Sequence, residues 1–231
     1  MITRLKKYIK FLTKLSEINL RIIKGMWKLT KFPQPAITFF GSARTPIESP
    51  YSQKAFLLSK ELTRNGFSII TGGGPGIMEA ANRGAYETLQ EQGHQVKKHA
   101  RKRSSLGIGI TRLNKDGENH YVHDFIVMSH FFTRKWLLVR YSTGFIVFPG
   151  GFGTLDELFE VITLMQTNRM KKMPIILIDK EYWKPLEDLI YNSLLARGLV
   201  SDKEIGYITS ITDDVDEAIE IINTYCKCNK K

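Results

Sequence analysis

The stretch Phe145-Ile146-Val147-Phe148-Pro149-Gly150-Gly151-Phe152-Gly153-Thr154-Leu155-Asp156-Glu157 decides the reading of this chain. An apolar run with strand character enters a turn of three glycines and leaves it through residues suited to start a helix. Glycine lets a backbone come close to a ligand, and the free N–H groups and dipole of a helix start attract an anion. A second corner of the same kind lies upstream. Phe67-Ser68-Ile69-Ile70 reads as a strand and feeds Thr71-Gly72-Gly73-Gly74-Pro75-Gly76-Ile77-Met78-Glu79, with a helix expected from Pro75 to about residue 89. Two such corners in one short α/β chain point to a phosphate held between two loops, and so to a nucleotide site.

Outward from these corners, apolar strand-like runs alternate with helical periods. Ala36–Phe40, Leu106–Ile110, Phe125–Met128 and Pro174–Ile178 read as further strands, with a short one near Gly206–Thr209. Helices are expected at 51–65, closed by Asn65-Gly66, at 130–141, at 154–168, at about 182–197 and at 213–226. Strands that are apolar throughout belong to parallel sheets covered on both faces. The expected fold is therefore α/β, a Rossmann-like doubly wound parallel sheet in a single domain, with ligands at the carboxyl ends of its strands. The loop at Gly41-Ser42-Ala43-Arg44, both glycine turns and the helix bearing Arg134 all follow strands.

Residues 1–33 are set apart. Leu5, Ile9, Leu12, Leu15, Ile18, Ile22, Met26 and Leu29 recur at three- and four-residue steps, the pattern of an amphipathic helix, ended by Pro33 and Pro35. Residues 1–31 carry nine Lys or Arg against Glu17 alone, and Lys97–Arg103 adds five more positive charges, so the remainder of a chain of net charge +11 sums to −2. The basic character belongs to two segments and not to the domain at 34–224, which speaks against a specific nucleic-acid binder. The helix is expected to pack on the domain or on a second subunit; contact with a membrane surface is the alternative. No apolar run reaches the roughly 20 residues that span a bilayer, and the start lacks signal-peptide features. Cys226 and Cys228 sit in or beside the polar end at 225–231 and make a poor zinc site. A cytoplasmic protein is expected.

Two residues invite a chemical reading. Thr154-Leu155-Asp156-Glu157 fits a capping box, with Thr154 at the N-cap and Glu157 at the third helical position. The same carboxylate, beside a phosphate cradle, could stabilise a developing positive charge or take a proton from water. Arg134 and Lys135 stand on a helix that enters beside the ligand ends of the strands, and an arginine fork suits phosphate; Arg134 could equally be an ordinary exposed cation. His120, His123 and His130 lack metal-like spacing and read as loop or interface residues.

Gly41-Ser42-Ala43-Arg44, the Gly72–Gly76 turn, the Arg134-Lys135 pair and Pro149-Gly150-Gly151-Phe152-Gly153-Thr154 through Glu157, in that order, resemble the LOG ("Lonely Guy") family. Its members are cytokinin riboside 5′-monophosphate phosphoribohydrolases, often mislabelled lysine decarboxylases. The resemblance spans roughly residues 34–222. It implies a homodimer that hydrolyses the N-glycosidic bond of a purine nucleoside 5′-monophosphate to free base and ribose 5-phosphate. It also implies Arg134 and Glu157 as catalytic residues, with no cofactor and no metal. Substrate contacts are expected from Ser42, Gly72, Gly73, Gly74, Glu79, Lys135, Gly150, Gly151, Gly153 and Thr154, and base-side or phosphate contact from Arg44. Decarboxylation needs an electron sink such as pyridoxal phosphate on a lysine, and the resemblance supplies no such lysine. A molybdenum-cofactor or nucleotide carrier of the same fold is the alternative function. The basic segment 97–103 and the N-terminal helix exceed the family's usual pattern.

Overall fold

A computed structural model describes residues 2–92, 103–111 and 119–228. Seven strands form one parallel sheet: β1 (Ala36–Phe40), β2 (Ser68–Thr71), β3 (Ser105–Ile110), β4 (Asp124–Met128), β5 (Gly144–Val147), β6 (Ile175–Ile178) and β7 (Ile208–Thr212). Their order across the sheet is β4-β3-β2-β1-β5-β6-β7, parallel throughout. The chain builds outward from β1 in one direction, then restarts at β5 on the other side. β1 and β5 are thus neighbours, with Phe40 opposite Val147, and the strand order switches between them, the place where ligands bind in such sheets.

The helices are α1 (Ile2–Thr30), α2 (Pro50–Arg64), α3 (Ile77–Gln92), α4 (Phe131–Arg140), α5 (Phe152–Gln166), α6 (Lys180–Leu189), α7 (Asp202–Ile205) and α8 (Val215–Cys228). Side chains alternate between the faces of each strand. Phe145 and Val147 pack with Leu137, Leu138, Leu158 and Trp183 beneath α4, α5 and α6. Ile146 and Phe148 pack with Leu58, Leu62, Ala81 and Ile222 beneath α2, α3 and α8. Both faces are covered, which is why the strands lack a polar side.

Several boundaries differ from the sequence expectation for local reasons. Helix α3 begins at Ile77 rather than Pro75 because Gly76, at φ 69°, is in the left-handed region and cannot belong to a right-handed helix. Asn65 and Gly66 close α2 as expected, with Gly66 at φ 89°. The helix expected over 182–197 is α6 continued by a π-helical turn at Ile190–Leu195.

Helix α5 begins at Phe152, two residues before the expected start, with Gly151 as its N-cap. Thr154 and Leu155 both donate their N–H to the Gly151 carbonyl. Thr154 is therefore the third helical residue and Glu157 the sixth, so the capping box does not form.

The 29-residue α1 forms over nearly the expected residues. At a rise of 1.5 Å per residue it is about 43 Å long, far longer than the five-residue edge strand β4 on which it rests. The domain covers only its last turns. Gly25 and Leu29 are buried there, and a Cβ on Gly25 would meet Met128, Leu137 and Ile126. Leu5, Ile9, Leu12 and Leu15 remain exposed. Residues 97–102 of the basic segment lie outside the described residues; Arg103 pairs with Asp124 at 3.1 Å. No helix among the described residues is long and apolar enough to cross a membrane.

Candidate active site

The loops that follow β1 and β5 are tied together through Ser42. Its N–H donates to the Pro149 carbonyl at 3.1 Å, its carbonyl accepts from Ile77 N–H at 3.1 Å, and its hydroxyl accepts from Arg44 N–H at 3.0 Å. One residue after β1 thereby joins the second glycine turn to the start of α3. This contact set makes Ser42 a joint between the two turns.

The two glycine turns are built differently. Gly72 and Gly73 are buried. Gly73 holds φ 69° and packs against Phe125 and Gly107, and its N–H donates to the Thr71 hydroxyl at 2.9 Å. A side chain on Gly72 would overlap the guanidinium of Arg134. Of this first turn, Gly74 is half-buried and Pro75 is exposed. At the second turn, a Cβ on Gly151 or Gly153 would meet nothing within 4 Å. Neither glycine has positive φ, so neither backbone strain nor packing among the described residues requires it. Open space before a helix start that has no side-chain cap suits the approach of an anion. Gly150 packs against the buried Thr154 side chain, and its carbonyl accepts a hydrogen bond from the Tyr182 hydroxyl.

Arg134 and Glu157 meet in this place. Nη1 of Arg134 donates to Oε1 of Glu157 at 3.1 Å, with the two side chains only 15% and 13% exposed. Nε of Arg134 donates to the Ile108 carbonyl at 3.0 Å, so the guanidinium is held at the end of β3 and against Gly72. Burial pushes the Glu157 carboxyl up to about 7, although the Arg134 and Lys135 charges pull it down. A group with that value changes charge near neutrality, which suits proton transfer.

Lys135 points to other partners. It pairs with Asp156 at 2.6 Å and Glu160 at 3.2 Å on α5. Burial works to lower its amine, but the hydrogen bonds to those two carboxylates outweigh it and leave the ammonium favoured. Its visible work is to clamp α4 to α5. Glu79 is half-buried on the first turn of α3 and its charge acts on Arg83. His123 stacks on Tyr86 with ring centroids 4.7 Å apart, and His130 is the N-cap residue of α4.

A buried polar cluster behind the first turn was not singled out from sequence. Asn82 Oδ1 accepts from Thr71 and, at 3.0 Å, from Asn119, while its amide donates to Ser105 at 2.8 Å. Asn119 also reaches the Gly74 carbonyl at 3.5 Å. These residues come from β2, α3, β3 and the segment before β4, so no local spacing marks them. Tyr182, 32 residues from the carbonyl it holds, is equally silent in sequence.

Strand order, the loops that meet at the switch point and the Arg134–Glu157 pair beside them define a Rossmann-like α/β protein. A family model described as "Possible lysine decarboxylase" matches residues 78–222, a range that includes Glu79, Arg134, Lys135 and Gly150 through Glu157. The chain belongs to this family, the LOG family. It is 27% identical over 171 residues to the pyrimidine/purine nucleotide 5′-monophosphate nucleosidase of Escherichia coli K12, covering 70% of this chain and 35% of that protein. It is 31% identical over 123 residues to a cytokinin riboside 5′-monophosphate phosphoribohydrolase of Rhodococcoides fascians, covering 50% and 52% of the two. The chain thus spans about a third to a half of the length of these relatives. An Arabidopsis thaliana phosphoribohydrolase, LOG3, matches at 26% identity over 84% of this chain and 83% of its own. Among solved structures, the molybdenum cofactor carrier protein of Chlamydomonas reinhardtii superposes with a TM-score of 0.58 at 21% identity, over 84% of this chain and 99% of that one. That likeness concerns the fold alone.

Proposed function

We propose that this protein hydrolyses the N-glycosidic bond of a purine nucleoside 5′-monophosphate, AMP or an N6-modified AMP, and releases the free base and ribose 5-phosphate. The observation that carries the reading is the buried Arg134–Glu157 pair set against the first glycine turn. Relatives whose names give nucleotide 5′-monophosphate nucleosidase and phosphoribohydrolase activities support it.

The phosphate sits at the uncapped N-terminus of α5, over Gly151 and Gly153, and its binding positions the sugar remote from the anion. As the bond from C1′ to the base nitrogen lengthens, the bonding pair leaves with the base and positive charge grows on the ribose. The ionised Glu157 carboxylate faces that charge and accepts a proton from the water whose oxygen bonds to C1′; the departing base takes a proton from solvent, and Glu157 returns its own to solvent, so that one water is consumed in all. Arg134, fixed by the Ile108 carbonyl, holds Glu157 in place and offers its remaining donors to the phosphate or base.

A pyridoxal-type decarboxylase would need a free lysine amine. Lys135, which adjoins Arg134, is held as an ammonium between two carboxylates, and this does not fit a Schiff base. Phe131, Phe132, Trp136, Phe152 and Phe159 are exposed on α4 and α5 beside the site; this aromatic face supports a homodimer, which we place in the cytoplasm.

The test is turnover of AMP against adenosine, read as ribose 5-phosphate or ribose. AMP should be cleaved at least about a hundredfold faster, because the remote phosphate supplies binding used in the transition state. Equal rates would refute the phosphate cradle, and no release from any nucleoside monophosphate would refute the reading altogether.

A further inference from the structure

The domain leaves most of α1 uncovered, and what it leaves has a definite chemistry. Leu5, Ile9, Leu12, Leu20, Ile23 and Trp27 fall on one line at three- and four-residue steps, with Ser16 in the gap. Ile9 is 51% exposed, Ile23 61% and Trp27 65%. Over the first four turns the exposed apolar side widens to include Tyr8, Phe11 and Leu15. Lys6, Lys7, Lys10 and Lys14 occupy the opposite side of these turns. Among the described residues none of the α1 cations pairs with a carboxylate; Lys28 donates to the Phe125 carbonyl and Lys31 lies over the Trp27 ring.

We propose that α1 docks this protein on anionic lipid bilayers, lying in the interface with its apolar side toward the acyl chains and its lysines toward the headgroups. Several observations select this occupant. The helix is too charged to cross a membrane, yet it joins a broad apolar side to a basic one, as interfacial helices do. Self-pairing is opposed by charge, since two copies would bring together helices with nine cations and one carboxylate in residues 1–31 of each. A pairing seam would also be a narrow stripe, whereas here about half the circumference of the first turns is apolar, with Arg4 at the N-terminal end its one cation. Trp27 and Tyr8, exposed on that side, are residue types that settle at the headgroup level. The chain's own stretches 93–102 and 112–118 are too polar in sequence to cover this surface, with Val96, Ala100 and Leu113 their apolar side chains.

The experiment uses the full chain and vesicles of phosphatidylcholine with and without phosphatidylglycerol, with co-sedimentation and tryptophan emission, compared with that of a Trp27→Phe variant, as readouts. Binding should require the anionic lipid, weaken as salt is added and shift tryptophan emission to the blue, a shift that the Trp27→Phe variant lacks. The triple change Lys6→Glu, Lys10→Glu and Lys14→Glu should weaken partitioning by about a hundredfold or more, at about fivefold per basic residue near the surface. Leu5→Glu with Ile9→Glu and Leu12→Glu should abolish it. All six side chains project from the domain, so both variants should melt with the parent protein, which separates loss of docking from loss of fold. Three results would overturn the proposal. The first is binding that ignores lipid charge or the apolar changes. The second is a self-association lost in the Leu5, Ile9, Leu12 variant without any vesicle binding, which would assign α1 to a second copy. The third is duplex DNA binding that survives that variant while vesicles are not bound, which would assign α1 to nucleic acid.

Discussion

Replacing Glu157 by glutamine separates its chemistry from its contribution to stability. The carboxyl stands at about 7 in the folded protein against 4.5 ordinarily. At about 1.4 kcal/mol per pH unit, that difference amounts to about 3 kcal/mol. Some water reaches a side chain that is 13% exposed, so about 2 kcal/mol is the expected size. Because the folded value is raised, the folded state holds its proton where the unfolded chain has lost it. Stability from this group is full below pH 4.5, falls as pH rises through about 7 and levels beyond. Glutamine keeps an acceptor for Arg134 and does not titrate. Urea unfolding of both proteins between pH 4.5 and 8 should therefore show the parent losing about 2 kcal/mol relative to Glu157→Gln across this window. In parallel, kcat/KM of the parent on AMP should rise with pH through about 7, while Glu157→Gln lowers kcat by about a hundredfold. Stability curves that run parallel at all pH values would refute the raised carboxyl. An intact kcat in the variant would refute its catalytic role.

Other outcomes follow from the same geometry. Gly72→Ala places a methyl group into the space of the Arg134 guanidinium; displacing one charge-stabilising group should lower kcat by about a hundredfold, and a variant with full turnover would show that Arg134 need not lie there. Asn82→Ala leaves Thr71, Ser105 and Asn119 without their buried partner, so thermal and urea unfolding should show a loss of about 2–3 kcal/mol. The same change loosens the first turn through Gly73 and Gly74 and should raise KM for AMP.

The fold was legible because its signals are local or repetitive. Strands apolar on both sides, such as Phe145–Phe148, permit little besides a parallel sheet between two helical layers, and the glycine turns mark where those strands end. The resemblance to the LOG family, carried by Arg134-Lys135 and the turn through Glu157, agrees with the family match. Helix starts were less legible. Thr154 looked like a cap because its side chain suits one, but the backbone chose Gly151, whose carbonyl accepts the first helical bonds. That choice freed Glu157 from the helix end and left it available to Arg134.

By itself, the sequence determined the period of each element, the positions of the glycine-rich turns and the concentration of charge in residues 1–31, since all three depend on neighbours along the chain. Which groups meet was a matter for the tertiary structure. The order of strands brought Ser42 to Pro149 and Arg134 to Glu157. Burial between α4 and α5 raised one carboxyl while its neighbour Asp156 engaged Lys135. The length of β4 decided how little of α1 the domain could cover. Desolvation and pairing depend on atoms brought from distant parts of the chain, and a linear spacing does not specify that convergence.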